Sequence, residues 1–576
     1  MASSAPRAPS ELLATLRQYR SAITGVVWMS VVLNVLTLAG SIYMMLVYDL
    51  ILPSRSVSSL LGLLVMITVV YCFQAVFDLL RSRTLSHIGA SLDVDLDGRV
   101  HRLVSAMALR GRSAAESQQP TRDIDQIRAF LASSGPTALI DLPWVIFFIA
   151  VLCFFHIWLG VTTLVGALVM VALTVLTDRK SGEPARAATM LSAQRNAATD
   201  TARRHAEEIR ALGMAGRTET QWVTVNRAYL AAQQRLSDIS GGYGGFARIF
   251  RMLLQSMILT VGALLVISDK ASGGVIFASS ILGARALAPI DQSISNWKNF
   301  IAARQSWSRL DTLLAQLPQP DEVLALPAPK TSFAAEHLTL VPPGSQRPTV
   351  VDADFTLKAG DAVSIIGPSA SGKSSLARGL VGVWPAVQGK IRLDGAALDQ
   401  WSPDALGRHI GYLPQNVTLL DGTVAQNIAR FEEDAADDRI IAAATAAGVH
   451  DLILRLPQGY ETPVGADGTS LSAGQRQRVA LARALYGDPF FVVLDEPNSN
   501  LDAEGELALV EAIRGVRARG GIVIVIAHRP GVLDAVDLVL FMQDGRVRAF
   551  GPKAEVLQRL MPPRPNIVPV PTQAKA

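Results

Sequence analysis

Cysteine is almost missing from this chain: Cys72 and Cys153 are two residues among 576. Both sit inside apolar runs, and there is no CxxC pair or His/Cys cluster, so neither a disulfide framework nor a zinc site is expected. Charge is sparse as well, at 18% of residues, and a net value of +4 gives no case for nucleic acid as a partner. A removable leader is not evident. The first apolar run begins after residue 20, is long, and lacks a small-residue cleavage pattern, so it reads as a retained span. Beyond about residue 300 no long apolar run occurs.

What is abundant is hydrophobic sequence, half of all residues, gathered into six runs. They are Val26 to Leu52, Leu60 to Phe77, Thr137 to Phe155, Leu159 to Leu176, Met252 to Ile267 and Gly274 to Ile290. Each approaches the ~20 residues a helix needs to cross hydrocarbon. Any one of them could be a buried core helix, but six in series with short polar gaps read as a membrane domain. Expected spans are roughly 23–52, 57–80, 137–155, 158–178, 246–268 and 273–296. The two long links are basic and helical in pattern, with Arg81, Arg83, Arg99 and Arg102 in the first and Arg179, Lys180, Arg203, Arg204 and Arg217 in the second. Arg7, Arg17 and Arg20 precede the first run. Because Lys and Arg near span ends are retained inside, the N-terminus, both long links and the C-terminal half are all assigned to the cytoplasm.

The C-terminal half has the chemistry of a nucleotide engine. Ala362 to Ile366 reads as a buried strand, followed by GPSASGKSS and then an apolar helical run. That loop is Gly367, Pro368, Ser369, Ala370, Ser371, Gly372, Lys373, Ser374 and Ser375, the strand–GxxxxGK[ST]–helix pattern. Its glycines let backbone N–H groups converge on phosphate oxygens, Lys373 neutralises β- and γ-phosphates, and Ser374 can ligate Mg²⁺. A second apolar strand, Phe490 to Leu494, ends in Asp495 and Glu496. Asp495 can hold Mg²⁺ and Glu496 can orient or deprotonate the attacking water. A third strand, Gly521 to Ile526, delivers His528 to the same end, suited to sensing the γ-phosphate.

With these residues in place, the chain resembles an ATP-binding cassette (ABC) exporter whose membrane and nucleotide domains are fused. The resemblance implies a multidomain membrane protein, a six-helix α-helical transmembrane domain joined to an α/β P-loop ATPase domain. The signature is Leu471, Ser472, Ala473, Gly474 and Gln475, within LSAGQRQR. The Q-loop is Gln415, implied to share the Mg²⁺ site and the catalytic role of Glu496 and His528. The D-loop is Ser499, Asn500, Leu501 and Asp502. By that resemblance the signature completes the ATP site of a second copy, which implies a homodimer. Two departures stand out. Ala473 replaces a common glycine, and the aromatic residue that usually stacks on adenine is absent, Leu338 to Gly344 offering Val341 and Pro342 instead. Selectivity for ATP over GTP is therefore left open.

Three membrane patches, Tyr43 to Ser56, Asp141 to Gly160 and Ser279 to Lys298, are similar to type I secretion ATPases of Gram-negative bacteria, in particular exporters of proteases and lipases with glycine-rich calcium-binding repeats. This implies a multi-pass inner-membrane location, a periplasmic adaptor (membrane fusion) protein, an outer-membrane channel, and a cargo carrying a C-terminal signal, with membrane lipid around the spans. Some relatives carry a peptidase domain before the first span. Only about 20 residues precede it here, so cargo processing is not expected. The domain plan is 1–20 cytoplasmic, 21–310 transmembrane, 311–330 linker, 331–560 nucleotide-binding and 561–576 a Pro-rich disordered tail. Arg285, Pro289, Gln292 and Asn296 share one helical face in the last span, a polar stripe that either lines the export path or forms an internal pair. Glu207 to Arg217, a helix followed by a glycine break, is the expected cytoplasmic tip of the second link. A lipid or peptide exporter of the same architecture, or a soluble ABC ATPase, are the alternatives.

Overall fold

The apolar runs form helices that continue far past their apolar parts. The computed structural model describes residues 10–317, 326–527 and 530–560, and the chain divides into two units, Met1–Pro318 and Gln319–Ala576. The Pro-rich tail and most of the segment between the units lie outside the described residues, as does Arg7.

In the first unit α1 (Glu11–Gln18) leads into α2 (Arg20–Leu46). Then follow α3 (Val57–Leu109), α4 (Gln119–Leu131), α5 (Gly135–Asp141), α6 (Trp144–Phe155) and α7 (Ile157–Arg204). The unit ends with α8 (Ala215–Ile267), α9 (Gly273–Ser295) and α10 (Trp297–Ala315). Helices α3 and α8 have 53 residues each, about 80 Å at 1.5 Å per residue, while ~30 Å crosses hydrocarbon. The basic links are therefore the polar continuations of the spanning helices. Between α7 and α8 lie a short helix, Ala206–Ala211, and Gly213 in a left-handed conformation at φ 66°.

Among the described residues five helices are long and apolar enough to cross a membrane, and the pair α5–α6 makes a sixth if it is one span. The sequence predicts one helix over 137–155. The structure breaks it around Leu142 and Pro143 with a 45° bend, because proline has no N–H to donate and crowds the turn before it. Asp141 sits at this break and accepts from Arg81 Nη1 (2.8 Å) and Asn34 Nδ2 (3.0 Å). Arg81 also donates to Ser30 Oγ at 3.0 Å and Asp78 at 2.9 Å, tying α2, α3 and α5 together. At the other end, α2 runs into a π-helical turn, Val47–Ile51. The turn re-aims Asp49 to accept from Ser272 Oγ (2.6 Å) and the Gly274 amide (2.7 Å) at the start of α9.

The apolar core of this unit gathers Phe148, Leu152, Leu159, Met170, Leu254 and Ile258. Helices α7 and α8 pack along each other, so closely that a Cβ on Gly166 would meet Leu254 at 1.9 Å. Elsewhere apolar surface is left outward: only 6% of the most apolar window of α3 is buried by the chain. In water such a surface would be costly, so it needs lipid or another apolar cover. The last span runs unbroken through Pro289, which is buried, whereas Arg285 and Gln292 are exposed and Asn296 is partly buried. Pro289 thus turns toward the bundle and leaves the polar stripe.

The second unit carries two sheets. One is antiparallel, in the order β2 (Val350–Lys358), β1 (Ser332–Leu340), β4 (Gln388–Leu393) and β5 (Ala396–Ala397). The other runs β10 (Arg546–Pro552), β9 (Leu538–Gln543), β3 (Ala362–Ile366), β8 (Ile522–Ile526), β7 (Phe491–Asp495) and β6 (Ile410–Leu413). From β9 to β6 its strands are parallel. Every residue of β7 and β8 is buried, which is why FVVLD and IVIVI are continuous rather than alternating. Phe333 of β1 stacks on Phe491 of β7, ring centroids 4.2 Å apart, pinning the sheets together.

Candidate functional site

Strand β3 delivers the Gly367–Ser375 loop and β7, two strands away across β8, delivers Asp495 to the same carboxyl edge. Crevices at that edge are where open α/β sheets take ligands. The loop needs glycine where backbone passes backbone. At Gly367 (φ 154°) a Cβ would lie 2.1 Å from the Met542 carbonyl, and at Gly372 (φ 97°) 2.4 Å from that of Thr349. Helix α11 (Lys373–Leu380) begins immediately after, so its free N-terminal amides face the loop.

Lys373 is buried and folds back, its Nζ donating to the Gly367 carbonyl (2.9 Å) and the Pro368 carbonyl (2.8 Å). Burial holds its ammonium below the usual lysine range, although the carboxylates of Glu496 and Asp495 oppose that shift. Ser374 Oγ donates to Asp495 Oδ1 at 3.2 Å. Asp495 is 1% exposed, and burial pushes its carboxyl above the ordinary value, partly offset by the Ser374 hydroxyl. Its Oδ2 has no hydrogen-bond partner among the described residues, and neither does Ser371 Oγ. Buried oxygens without partners are uncommon and call for an explanation. The donor set converging here is all oxygen, the set a hard divalent cation takes.

Glu496 follows in the left-handed region at φ 50°, its amide bonded to the Ile526 carbonyl at 3.0 Å. Its Oε2 accepts from Gln415 Nε2 at 3.0 Å. Gln415, placed by the end of β6, is thus beside Glu496. His528 lies outside the described residues.

The signature segment opens a helix. Ser472 caps α12 (Ala473–Leu485): its Oγ accepts from the Gln475 amide at 3.3 Å, and Gln475 Oε1 accepts from the Ser472 amide at 2.9 Å. This reciprocal box leaves Ser472 and Ala473 exposed, with Gly474 half-buried and Leu471 buried. No hydrogen bond joins these residues to the Gly367–Ser375 loop of their own chain among the described residues.

Two residues that sequence reasoning passed over bind this helix to the D-loop. Gln477 is buried and donates to the carbonyls of Glu496 (3.3 Å) and Pro497, while its Oε1 accepts from the Asn500 amide at 3.0 Å. Arg478 pairs with Asp502, which also caps α13 (Ala503–Ala518) through the Gly505 amide at 2.9 Å. Ser499, Asn500, Leu501 and Asp502 are held in this way. The available signal was the polar run GQRQR on an otherwise apolar helix. Val341 and Pro342 follow β1, with no aromatic residue in the 338–344 stretch.

Residues 350–499 match the ABC transporter family, and residues 23–284 match the ABC transporter transmembrane region. The chain is 53% identical to the type I secretion system ATP-binding protein PrsD of Rhizobium meliloti (strain 1021), over 96% of this chain and 95% of that protein. It is 28% identical to the exotoxin translocation ATP-binding protein PaxB of Pasteurella aerogenes, over 94% and 76%. A solved bacterial Atm1-family ABC exporter with ATP bound shares the fold, with a TM-score of 0.82 at 24% identity over 94% of this chain and 97% of that one.

Proposed function

The chain belongs to the ABC transporters, among the type I secretion ATP-binding proteins that couple ATP hydrolysis to polypeptide export, and we propose that it acts as a homodimer sharing two ATP sites. The observation that carries the site is Asp495 Oδ2, buried and without a hydrogen-bond partner among the described residues, beside Ser374 and near Lys373 at one sheet edge.

In each site the Gly367–Ser375 loop cradles the phosphates, and Lys373 exchanges its two backbone carbonyls for phosphate oxygens. Ser374, Asp495 and Gln415 would hold Mg²⁺, which supplies charge neutralisation at the β/γ-phosphates. Glu496 orients the attacking water and takes up its proton, and Gln415 positions that carboxylate. His528 senses the γ-phosphate. The exposed Ser472, with Ala473 and Gly474, closes the site of the second copy, and Gln475 holds Ser472 in place through the capping box. Through Gln477 and Arg478, closure is transmitted to Ser499, Asn500, Leu501 and Asp502.

The membrane unit is oriented with its N-terminus, polar helix extensions and ATPase unit in the cytoplasm. Closing the nucleotide units drives the tips near Gly213 together and switches the path outward. An adaptor in the periplasm and an outer-membrane channel continue the path, and the cargo is a secreted protein read by a C-terminal signal. Arg285, which makes no ion pair among the described residues, lines that path with Gln292 and Asn296. Arg285 lies near the middle of α9, where an Arg in a span costs at least ~2.5 kcal/mol and needs water or protein around it.

The test is ATP and GTP hydrolysis by the purified chain in proteoliposomes, with and without the C-terminal segment of a candidate cargo. Stimulation by the segment supports the reading; robust stimulation by lipid and none by any cargo tail favours a lipid exporter. Ser472→Arg should keep ATP binding while abolishing turnover. Normal turnover of that variant would remove the shared site, and equal GTP hydrolysis would follow from the missing aromatic.

A further inference from the structure

A cavity of about 230 Å³ lies in the first unit, where the polar stretches of α4, α7, α8 and α10 face one another. We propose that it anchors an acidic side chain of an extended polypeptide segment, the first foothold of cargo on the transporter; this rests on the polypeptide-export reading.

The cavity's charge is one-sided. Arg122 of α4 and Lys298 of α10 line it, and no Asp or Glu does so among the described residues. Neither cation has an ion pair among the described residues, and Arg122 makes a long side-chain hydrogen bond, 3.4 Å to Gln118. A third cation stands at the wall: the Arg195 guanidinium lies 4.3 Å from the ring of Tyr229, a lining residue. Asp123, next in sequence to Arg122, is buried behind the lining residue Gln119, which donates to it at 3.0 Å, and its charge is met by Arg309 at 2.6 Å. Like charges gathered in a cleft with protein walls focus a positive potential, and Arg adds a fork that fits a carboxylate with two parallel bonds.

The remaining polar groups are the hydroxyls of Thr189, Ser192 and Tyr229 and four amides. Gln119, Gln126, Gln233 and Gln305 line the same space. Gln119 already donates to Asp123 and Gln126 accepts from Ser306 Oγ at 2.8 Å, while Gln233 and Gln305 each offer one carbonyl and one NH₂, the complement of a peptide group with its one N–H and one C=O. Space is made by α7, which presents Ala185, Ala188 and Ser192 to the cavity. The volume exceeds the ~30 Å³ share of one water several-fold but falls short of the ~300 Å³ of a pocket for a whole small molecule. It suits one side chain with its flanking peptide groups. Leu236 and Ile301 are the larger aliphatic groups in the wall, too little surface for acyl chains. A peptide is therefore favoured over a lipid headgroup.

The experiment uses the full chain in phosphatidylcholine nanodiscs and a fluorescein-labelled hexapeptide of alternating Asp and Gly, with the Asn-Gly hexapeptide as its neutral counterpart. The Asp peptide should bind about tenfold tighter, a difference that added salt and the double variant Arg122→Gln/Lys298→Gln both remove. Arg122→Lys should restore part of the difference, and an unchanged melting temperature checks that the variants fold. Equal binding of the two peptides, or an Asp preference that survives the double variant, overturns the proposal. So does displacement of the peptide by equimolar inorganic phosphate, or its loss in phosphatidylglycerol nanodiscs, which would give the cavity to a free anion or a lipid. Export by the same protein in proteoliposomes separates the two readings. If the wild-type chain exports no polypeptide, the export reading itself falls. If export and the Asp preference both persist in the double variant, only this site falls.

Discussion

Asp141 in the membrane unit and Asp495 in the ATPase unit are carboxylates at the ends of apolar segments, treated in opposite ways. Asp141 accepts from Arg81 and Asn34, groups supplied by two other helices. Among the described residues Asp495 accepts from Ser374 alone and keeps Oδ2 bare in a site that is almost fully buried. The first is bonded at both oxygens by its own chain and so holds helices in place. The second retains binding capacity, and the chain accepts the cost of burying an incompletely paired carboxylate at the point where a ligand would complete it. A carboxylate bonded at both oxygens by neighbouring helices is architecture; a buried one with an oxygen left open marks chemistry.

The comparison can be broken at either end. Asp495→Asn should lower ATP turnover by about a thousandfold, within the range lost with groups that act directly on the reacting atoms, while the protein stays folded; phosphate release at saturating ATP measures it. A drop of only a few-fold would place Asp495 with Asp141. Arg81→Ala should do the reverse, costing about 1–3 kcal/mol because it removes the bonds that tie α2, α3 and α5 and leaves the partly buried Asp141 with Asn34, and Arg81→Ala/Asp141→Asn should recover part of that loss. Thermal unfolding reads both variants, and turnover per folded molecule should change far less than in Asp495→Asn.

Gln477→Ala sharpens the middle ground, since it removes donors to two carbonyls and the acceptor for Asn500. Expected is about 1–3 kcal/mol of lost local stability, seen as faster hydrogen exchange at the Asn500 amide before any global unfolding. The smallest effect is in pH. Burial raises the carboxyl of Asp495 above its ordinary 3.8, so the empty folded state holds a proton more readily than the unfolded chain. The stability linked to that proton is complete below the ordinary value and is lost as pH rises through the raised one. Cation binding runs the other way: Mg²⁺ affinity should weaken as pH falls through the raised value, earlier than for a solvent-exposed carboxylate. Titrating Mg²⁺ against pH, with Asp495→Asn as the flat control, checks the sign.

Legibility followed locality. The Gly367–Ser375 loop is readable because its backbone requirements, spacing and flanking elements lie within one strand–turn–helix. Its bond to Asp495 spans 121 positions, and only the neighbouring order of β3, β8 and β7 makes that contact. The bend at Pro143 had its cause in plain view, yet a run of apolar residues from 137 to 155 looks continuous when hydropathy alone is weighed. The stripe through Arg285 and Gln292 follows helical geometry, but the same geometry places Pro289 at the edge of the face that packs against the bundle. Gln477 and Arg478 were hidden because a polar residue on a helix gives no sign of what it will touch.

By itself, then, the sequence determined the membrane-plus-ATPase architecture, the phosphate loop and the identity of the residues able to do its chemistry, since these depend on composition, period and short-range spacing. The tertiary structure decided which carboxylate is satisfied and which is left open, how the signature helix grips the D-loop, and where cations collect without counter-ions. Those facts arise from side chains far apart in sequence meeting in a dry interior, where a single missing partner changes the energy by kilocalories and one-dimensional patterns carry no record of it.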